Sequence, residues 1–436
     1  MLFYSPEYFL LFFPFVLILF FKSKEFNFDY KILLILTSIF FYAYWNYYYL
    51  PVIIFILVIN FYIGKKLLYH SNKIDLILGI FFNLLILLIF KYLDFLIQNI
   101  NLVFDTSIKK TNLPFPLAIS FVTFQLIAYL INCYDEVIKK ISFKNFSLFL
   151  LFFPQLIAGP IVSYKEMIGQ FDSSRILIFN KRRFSFGLVI FFIGFFKKIY
   201  LADTLGIFVD QNINDFTNMS FANSWLTSLS FTFQFYFDFT AYVDMATGSA
   251  LMMNIYLPKN FDSPFKATSI INFWQRWHIT LTNFLTNYFY KPWLLSLKKI
   301  TFFNSMSILF IVFLLAGLWH GPSWNYVIFG GLNGIGLIVN HYSKKKTSIK
   351  INYYFSIFLT FNFINISFVF FKIKEIEKST ELLLKMFLLS ESSNYSLSLE
   401  SYSWEFIFTF IISVIVCFLF SNTYKLVEET LKNKKR

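Results

Sequence analysis

The chain is 436 residues long; 57% of its side chains are hydrophobic and 14% are charged. An ordinary soluble domain carries about a quarter charged residues, so most of this chain does not face water. The formal net charge of +14 would suggest nucleic acid in a soluble protein, but here Lys and Arg gather between apolar runs, as in cytoplasmic loops of membrane proteins, which argues against a nucleic-acid partner.

Residues 301–319, 323–340 and 406–424 carry no charge and do not alternate apolar with polar residues. A bilayer needs about 20 apolar residues per helical span, whereas a β-barrel needs alternation. The expected fold class is an all-α polytopic membrane protein, read as a single domain over 1–436. The first run, 8–21, follows Glu7, has no basic region before it and no small-residue cleavage site after Phe21; it reads as a retained span. Further spans are expected at 31–43, 50–63, 74–90, 113–131, 184–209, 222–254, 301–319, 323–340, 353–371 and 403–422.

Two segments are apolar but broken: 146–162 by Pro154 and Gly159-Pro160, and 268–290 by Gln275, Arg276 and His278. Irregular backbone at membrane depth is tolerated where protein or a cavity covers it, so both are expected to be re-entrant. The clusters Lys181 to Arg183, Lys344 to Lys346 and Lys432 to Arg436, with the basic stretch 256–300, read as cytoplasmic; 210–223 and 389–402 lack Lys and Arg and read as extracytoplasmic. Residues 372–387 mix charged and apolar side chains at helical spacing, as an interfacial helix does. No internal repeat of the kind found in secondary transporters is present.

Only four histidines occur. His70 and His341 sit in basic loops and read as solvated bystanders. His320 ends an uncharged run within Gly317-Leu-Trp-His-Gly-Pro-Ser-Trp324, where an ionisable group is costly and a near-neutral imidazole can take a proton from a hydroxyl or thiol. It can equally be a packed histidine bonded to a backbone carbonyl. His278 lies in Phe273-Trp-Gln-Arg-Trp-His-Ile-Thr280, where Trp274, Trp277 and His278 are expected on two faces of one helix. Arg276 points away, and an aromatic anchor with a snorkelling Arg is the competing reading. The run 235–246 holds Asp238, Tyr242 and Asp244, which should line a cavity or pair with Arg276 or a histidine. Cys133 and Cys417 lie in apolar surroundings, so neither a metal site nor a disulfide framework is supported; no phosphate loop, nucleophile elbow or His-Glu-x-x-His pair is present.

The stretches Leu117-Ala-Ile-Ser-Phe-Val-Thr-Phe-Gln-Leu-Ile-Ala-Tyr129, Phe153-Pro-Gln-Leu-Ile-Ala-Gly-Pro160, Phe237-Asp-Phe-Thr-Ala-Tyr-Val-Asp-Met-Ala246 and the two histidine motifs fall in one order. In them the chain resembles the membrane-bound O-acyltransferases, of the alginate O-acetyltransferase type. The resemblance implies a bundle of about eleven spans with re-entrant helices around a funnel and tunnel, His320 and His278 as catalytic residues, and Asp238, Tyr242, Asp244, Trp274, Arg276, Trp277, Trp319 and Gln125 as tunnel or supporting residues. Three positions depart from the pattern: Phe284-Leu-Thr-Asn287 where Trp-Phe-Arg-Asp is common, Lys291-Pro-Trp-Leu-Leu295 where Leu-Gly-Gly is common, and Asn132 where Asp is usual.

The expected activity is transmembrane O-acetyl transfer from cytoplasmic acetyl-CoA, the donor substrate, with no permanently bound cofactor. Lys259, Lys266, Lys298 and Lys299 are candidates for the CoA phosphates, though positive-inside bias explains them equally. The resemblance also implies export of acetyl groups to a polysaccharide with a periplasmic acetyltransferase partner protein gripping the glycan; the excess of Phe, Ile, Asn and Lys suggests an AT-rich bacterial genome, hence the bacterial inner membrane, and favours peptidoglycan over alginate as acceptor. Alternatives are alginate or another exported glycan, D-alanyl transfer to teichoic acid from a carrier protein, and a transporter or flippase.

Overall fold

The computed structural model describes residues 1–216, 219–346, 351–389, 402–425 and 428, and among them every regular element is helical. Among the described residues, five helical runs are long and apolar enough to cross a membrane: Tyr30–Tyr69, Lys73–Phe104, Lys181–Asn214, Phe302–His320 and Tyr353–Lys372. Shorter apolar helices cover Glu7–Phe21, Ile119–Tyr134 and Trp404–Phe418. The chain forms two compact units, residues Met1–Phe192 with Tyr242–Pro258, and residues Ile193–Ala241 with Lys259–Arg436.

In the first unit, the spans expected at 31–43 and 50–63 form one run of 40 residues. At 1.5 Å per residue it measures about 60 Å, twice a bilayer core of about 30 Å. It is divided at Asn46, which leaves the helical region (φ −158°, ψ 96°) while its side chain accepts the Tyr48 amide. Pro51 then opens a helix of 20 residues, Leu50–Tyr69. Each half has the length of one crossing.

The Ile119–Tyr134 helix starts later than the expected 113, because Pro114 and Pro116 precede it and Ala118 adopts a left-handed φ of 66°. Almost all of it is buried, which explains why its sequence shows no polar face. Two buried amides, Asn60 and Asn83, exchange hydrogen bonds of 3.0 and 2.7 Å between neighbouring helices. Such a pair has no water to compete with it in hydrocarbon. The broken segment 146–162 is a helix, Phe143–Leu151, an extended Phe152, and a single turn, Phe153–Leu156. Its irregular backbone is buried, and the freed Phe153 amide donates to Ser38 Oγ at 3.1 Å.

In the second unit, Phe302–His320 and Trp324–Lys346 form a tight hairpin. A Cβ at Gly317 would collide with the Tyr326 carbonyl, and one at Gly330 with the Phe313 carbonyl. Small residues let the two backbones touch, the usual source of helix association in lipid. Tyr353–Lys372 packs beside them, and its buried Asn365 accepts from Ser228 and Thr232 at 3.2 and 2.7 Å.

The helix expected over 372–387 is Ile376–Met386, and here the structure differs from an interfacial reading. Its apolar face is covered by protein: Leu382 and Met386 pack on Met219, Val369 and Ile373, and Lys385 donates to the Phe216 carbonyl at 3.0 Å. The loop expected outside, 389–402, lies outside the described residues except at its two ends. So do 347–350 and the Lys432 to Arg436 cluster.

Candidate functional site

His320 is the last residue of the Phe302–His320 helix, and the chain leaves it through an extended Gly321. The following turn is pinned from outside: Ser323 Oγ donates to the Lys374 carbonyl at 3.1 Å, and the buried Asn325 donates to the Ile373 carbonyl at 2.6 Å. The half-buried imidazole meets Phe371 and Phe329 edge-on, with centroids 5.0 and 6.0 Å away. It opens on a cavity of about 200 Å³. Leu281, Leu309, Val312 and Phe313 make apolar walls, while Thr282, Tyr290 and His341 supply the polar points. His341 therefore lies on the Trp324–Lys346 helix and lines this cavity; the expectation of a solvated loop histidine is corrected.

The second motif is not one continuous helix. Ile270–Trp274 stops at Gln275, and a new helix, Ile279–Leu285, begins after His278. His278 takes a left-handed φ of 44°, unusual for a side chain with a Cβ and held only where neighbours over-determine it. Those neighbours are on the page. Asn260 Oδ1 lies 3.2 Å from His278 Nδ1 and also accepts the Thr280 amide and hydroxyl at 3.2 and 2.9 Å. His278 is 1% exposed and is not among the residues that line this cavity. Trp274 does line the cavity, and its indole donates to the buried Asn333 at 3.2 Å. Asn340 accepts the Ile270 amide at 2.7 Å, so one helix of the hairpin fixes the short Ile270–Trp274 helix. Trp277 and Trp319 are both buried.

The pairing expected for Asp238 with Arg276 or a histidine is corrected. Asp238 binds Lys198 at 2.7 Å, and Lys198 also binds Asp203 at 2.8 Å. A π-turn, Lys197–Ala202, aims that lysine. Arg276 instead donates to Asn272 at 3.1 Å and to the Asp262 carbonyl at 3.3 Å. Burial pushes the Asp262 carboxyl up, but Lys259 and Asn422 outweigh it and hold the group below its ordinary range.

Of the four candidate phosphate lysines, Lys259 is paired with Asp262 at 2.8 Å and Lys266 donates to the Phe420 carbonyl at 2.7 Å. Lys298 and Lys299 are exposed. Gln125, Tyr242 and Asp244 belong to the first unit, where Gln125 and Asp244 are buried and Tyr242 meets the Phe3 ring at 4.9 Å.

Sequence reasoning missed the asparagines Asn260, Asn325, Asn333 and Asn340, and Lys198. Their signal was present but unused: an amide or ammonium within an apolar run needs a partner.

Chemically, the arrangement offers an imidazole on an apolar, narrow cavity that hydroxyl groups also line, suited to moving a proton during transfer of a small group. Residues 130–377 match the model of the MBOAT, membrane-bound O-acyltransferase family. A peptidoglycan O-acetyltransferase of Helicobacter pylori is 39% identical over 85% of this chain and 76% of its own length. A probable alginate O-acetylase AlgI of Pseudomonas aeruginosa is 31% identical over 89% of this chain and 75% of its own. A teichoic acid D-alanyltransferase of Bacillus subtilis is 26% identical over 52% of this chain and 60% of its own. With the histidine motifs, the helical bundle and these matches together, the chain belongs to the membrane-bound O-acyltransferase family and is a multi-pass O-acyltransferase.

Proposed function

We propose that this enzyme, in the bacterial inner membrane, takes acetyl groups from acetyl-CoA on the cytoplasmic side and delivers them for O-acetylation of peptidoglycan. A separate extracytoplasmic protein completes the transfer. The observation that carries the chemistry is His320 opening on a narrow apolar cavity at the glycine-packed end of its hairpin. Such a cavity suits a small acyl group and not its charged carrier. His320 takes the proton from the hydroxyl of a first acceptor as that oxygen attacks the thioester carbonyl, and the extracytoplasmic protein then passes the acetyl group on to the glycan. The tetrahedral intermediate collapses, the C–S bond breaks, and the same imidazole returns the proton to the thiolate. His278 serves as a positioning residue.

Peptidoglycan is favoured as acceptor by the 39% identity to a relative bearing that name, against 31% to the alginate-type relative, over similar shares of the chain. D-alanyl transfer is the weaker reading, because that likeness spans 52% of the chain. Deleting the gene is expected to remove base-labile acetate from purified sacculi and raise lysozyme sensitivity. Unchanged sacculus acetate, with loss of acetate from an exported glycan or of D-alanine from teichoic acid, would overturn the acceptor.

A further inference from the structure

The Trp404–Phe418 helix starts beside a stretch without Lys or Arg and runs toward Lys425, so its far end belongs at the cytoplasmic leaflet. Three segments of the second unit are bonded together at that end. Asn422 donates to Asp262 at 2.7 Å, Lys266 to the Phe420 carbonyl at 2.7 Å, and the Asp262 amide to the Arg276 carbonyl at 2.9 Å. The Asp262 carboxylate is held by Lys259 at 2.8 Å. Among the described residues Lys266 and Arg276 are in no salt bridge: one holds the Phe420 carbonyl, the other Asn272 and the Asp262 carbonyl. Burial, then the charges of Lys425 and Arg276, hold the Lys266 ammonium below its ordinary range. Cations thus crowd one corner of the fold. An apolar track leads to the same corner. Phe408, Ile411, Ile415 and Leu419 recur every three or four residues, so they share a face, and all four are exposed. The opposite face of the helix holds the buried Phe406, Ser413 and Cys417.

We propose that this corner binds an anionic phospholipid of the cytoplasmic leaflet, its headgroup phosphate at Lys266 and Lys425 with Arg276 behind them, and an acyl chain along the exposed track. Phosphate oxygens accept from ammonium and guanidinium groups alike, and basic sites between helices on the cytoplasmic side attract anionic headgroups. A zwitterionic lipid brings its own cation to the crowded corner and gains less there. A soluble phosphate gains nothing from the apolar track. The site is built on the stretch that also builds the reaction cavity. Trp274, two residues before Arg276, lines the cavity of His320, and Asn260, two residues before Asp262, holds His278 at 3.2 Å. A lipid bound at Lys266 and Arg276 braces that stretch from the cytoplasmic side, whatever the acceptor of the acetyl group.

The purified full chain in neutral-detergent micelles is titrated with phosphatidylglycerol or phosphatidylcholine, and bound lipid is counted by native mass spectrometry. Phosphatidylglycerol is expected to stay bound under conditions that strip phosphatidylcholine. Lys266→Gln combined with Lys425→Gln is expected to weaken phosphatidylglycerol about tenfold, while the paired Lys→Arg changes at the same positions keep it. Leu419→Gln, on the exposed track, tests the chain without touching a cation and is expected to give a smaller loss. The control is Lys344→Gln combined with Lys345→Gln, which removes the same charge from another cytoplasmic cluster and is expected to leave binding in place. Equal retention of the two lipids, or equal loss in both glutamine pairs, would mean diffuse attraction and no site. Binding unaltered by the Lys266 and Lys425 pair and by Leu419→Gln would also overturn it. Glycerol phosphate and CoA are added as competitors and are expected to leave the lipid bound. Displacement by glycerol phosphate would make the ligand a soluble phosphate, and displacement by CoA alone would give the cations to the acyl donor; either result ends the lipid assignment.

Discussion

The imidazole of His278 faces the indole of Trp319 with 6.3 Å between ring centroids. Trp319 lies next to His320, whose ring is 5.0 Å from the same indole. An indole donates through its one N–H and accepts nothing, so it is no relay for a proton between the two imidazoles. Only His320 of the two lines the cavity described above, while His278 packs on the far side of the Trp319 indole.

Replacing His320 with Ala is expected to lower acetyl transfer about 100- to 10,000-fold, the usual share of a general base. The variant should still insert and show the wild-type melting temperature, since its ring is half-buried at a helix end and meets Phe371 and Phe329 edge-on. Transfer above a third of wild type, measured from radiolabelled acetyl-CoA in membranes, would remove His320 from the chemistry.

His278 separates by backbone conformation. Asn and Gly adopt its left-handed φ readily, whereas Ala keeps the strain that His278 already bears and loses the contact with Asn260. His278→Asn is expected to fold and to lower kcat while leaving the pH profile of transfer in place, as a positioning residue would. His278→Ala is expected to lose stability as well. A pH limb that disappears in His278→Asn would make His278 itself the titrating group.

Gly330→Ala places a methyl against the Phe313 carbonyl, a backbone atom that cannot swing aside. Overpacking of this kind costs about 1–3 kcal/mol, and here it wedges open the hairpin that ends in His320. Both melting temperature and transfer are expected to fall. Gly331→Ala is the control, because its nearest neighbour is a Leu314 methyl at 3.4 Å. Equal behaviour of the two variants would show that backbone contact is not what the hairpin needs.

Lys198→Met leaves Asp203 and Asp238 facing one another without their cation. Both carboxylates are about half exposed, so the cost is expected near 1–3 kcal/mol, below that of a fully buried pair. Adding Asp238→Asn is expected to recover part of the loss. A double variant no better than Lys198→Met, judged by melting temperature, would mean that the ion pair is not the source of the effect.

The fold class and the histidine motifs were legible because apolar run length and isolated ionisable groups are local signals. The broken segments were also legible, since Pro154 and the Gln275-Arg276 pair cannot continue an apolar helix unnoticed. Partner choice was not. That Asp238 meets Lys198 depends on a π-turn, and nothing in the residues 197–202 announces the extra residue in that turn. His341 was misplaced for a related reason: three lysines follow it, yet the helix runs on through Lys346 and turns its ring into the cavity.

Sidedness follows from charge and from helix direction taken together. Lys181–Asn214 and Phe302–His320 each begin near basic stretches and end at segments poor in Lys and Arg, whereas Tyr353–Lys372 runs into Lys372, Lys374 and Lys378. Phe221–Met252 and Trp324–Lys346 run back toward basic ends. The rule then puts His320, Asn214 and Ser403 toward the outside and Lys345 toward the cytoplasm. Four single-cysteine proteins test it, at 214, 322, 403 and 345, after Cys133 and Cys417 are changed to Ser. An impermeant maleimide on intact spheroplasts is expected to label 214, 322 and 403, and 345 only after permeabilisation. Labelling of 345 alone on intact spheroplasts would invert the topology. Delivery from His320 to an extracytoplasmic acceptor would fall with it.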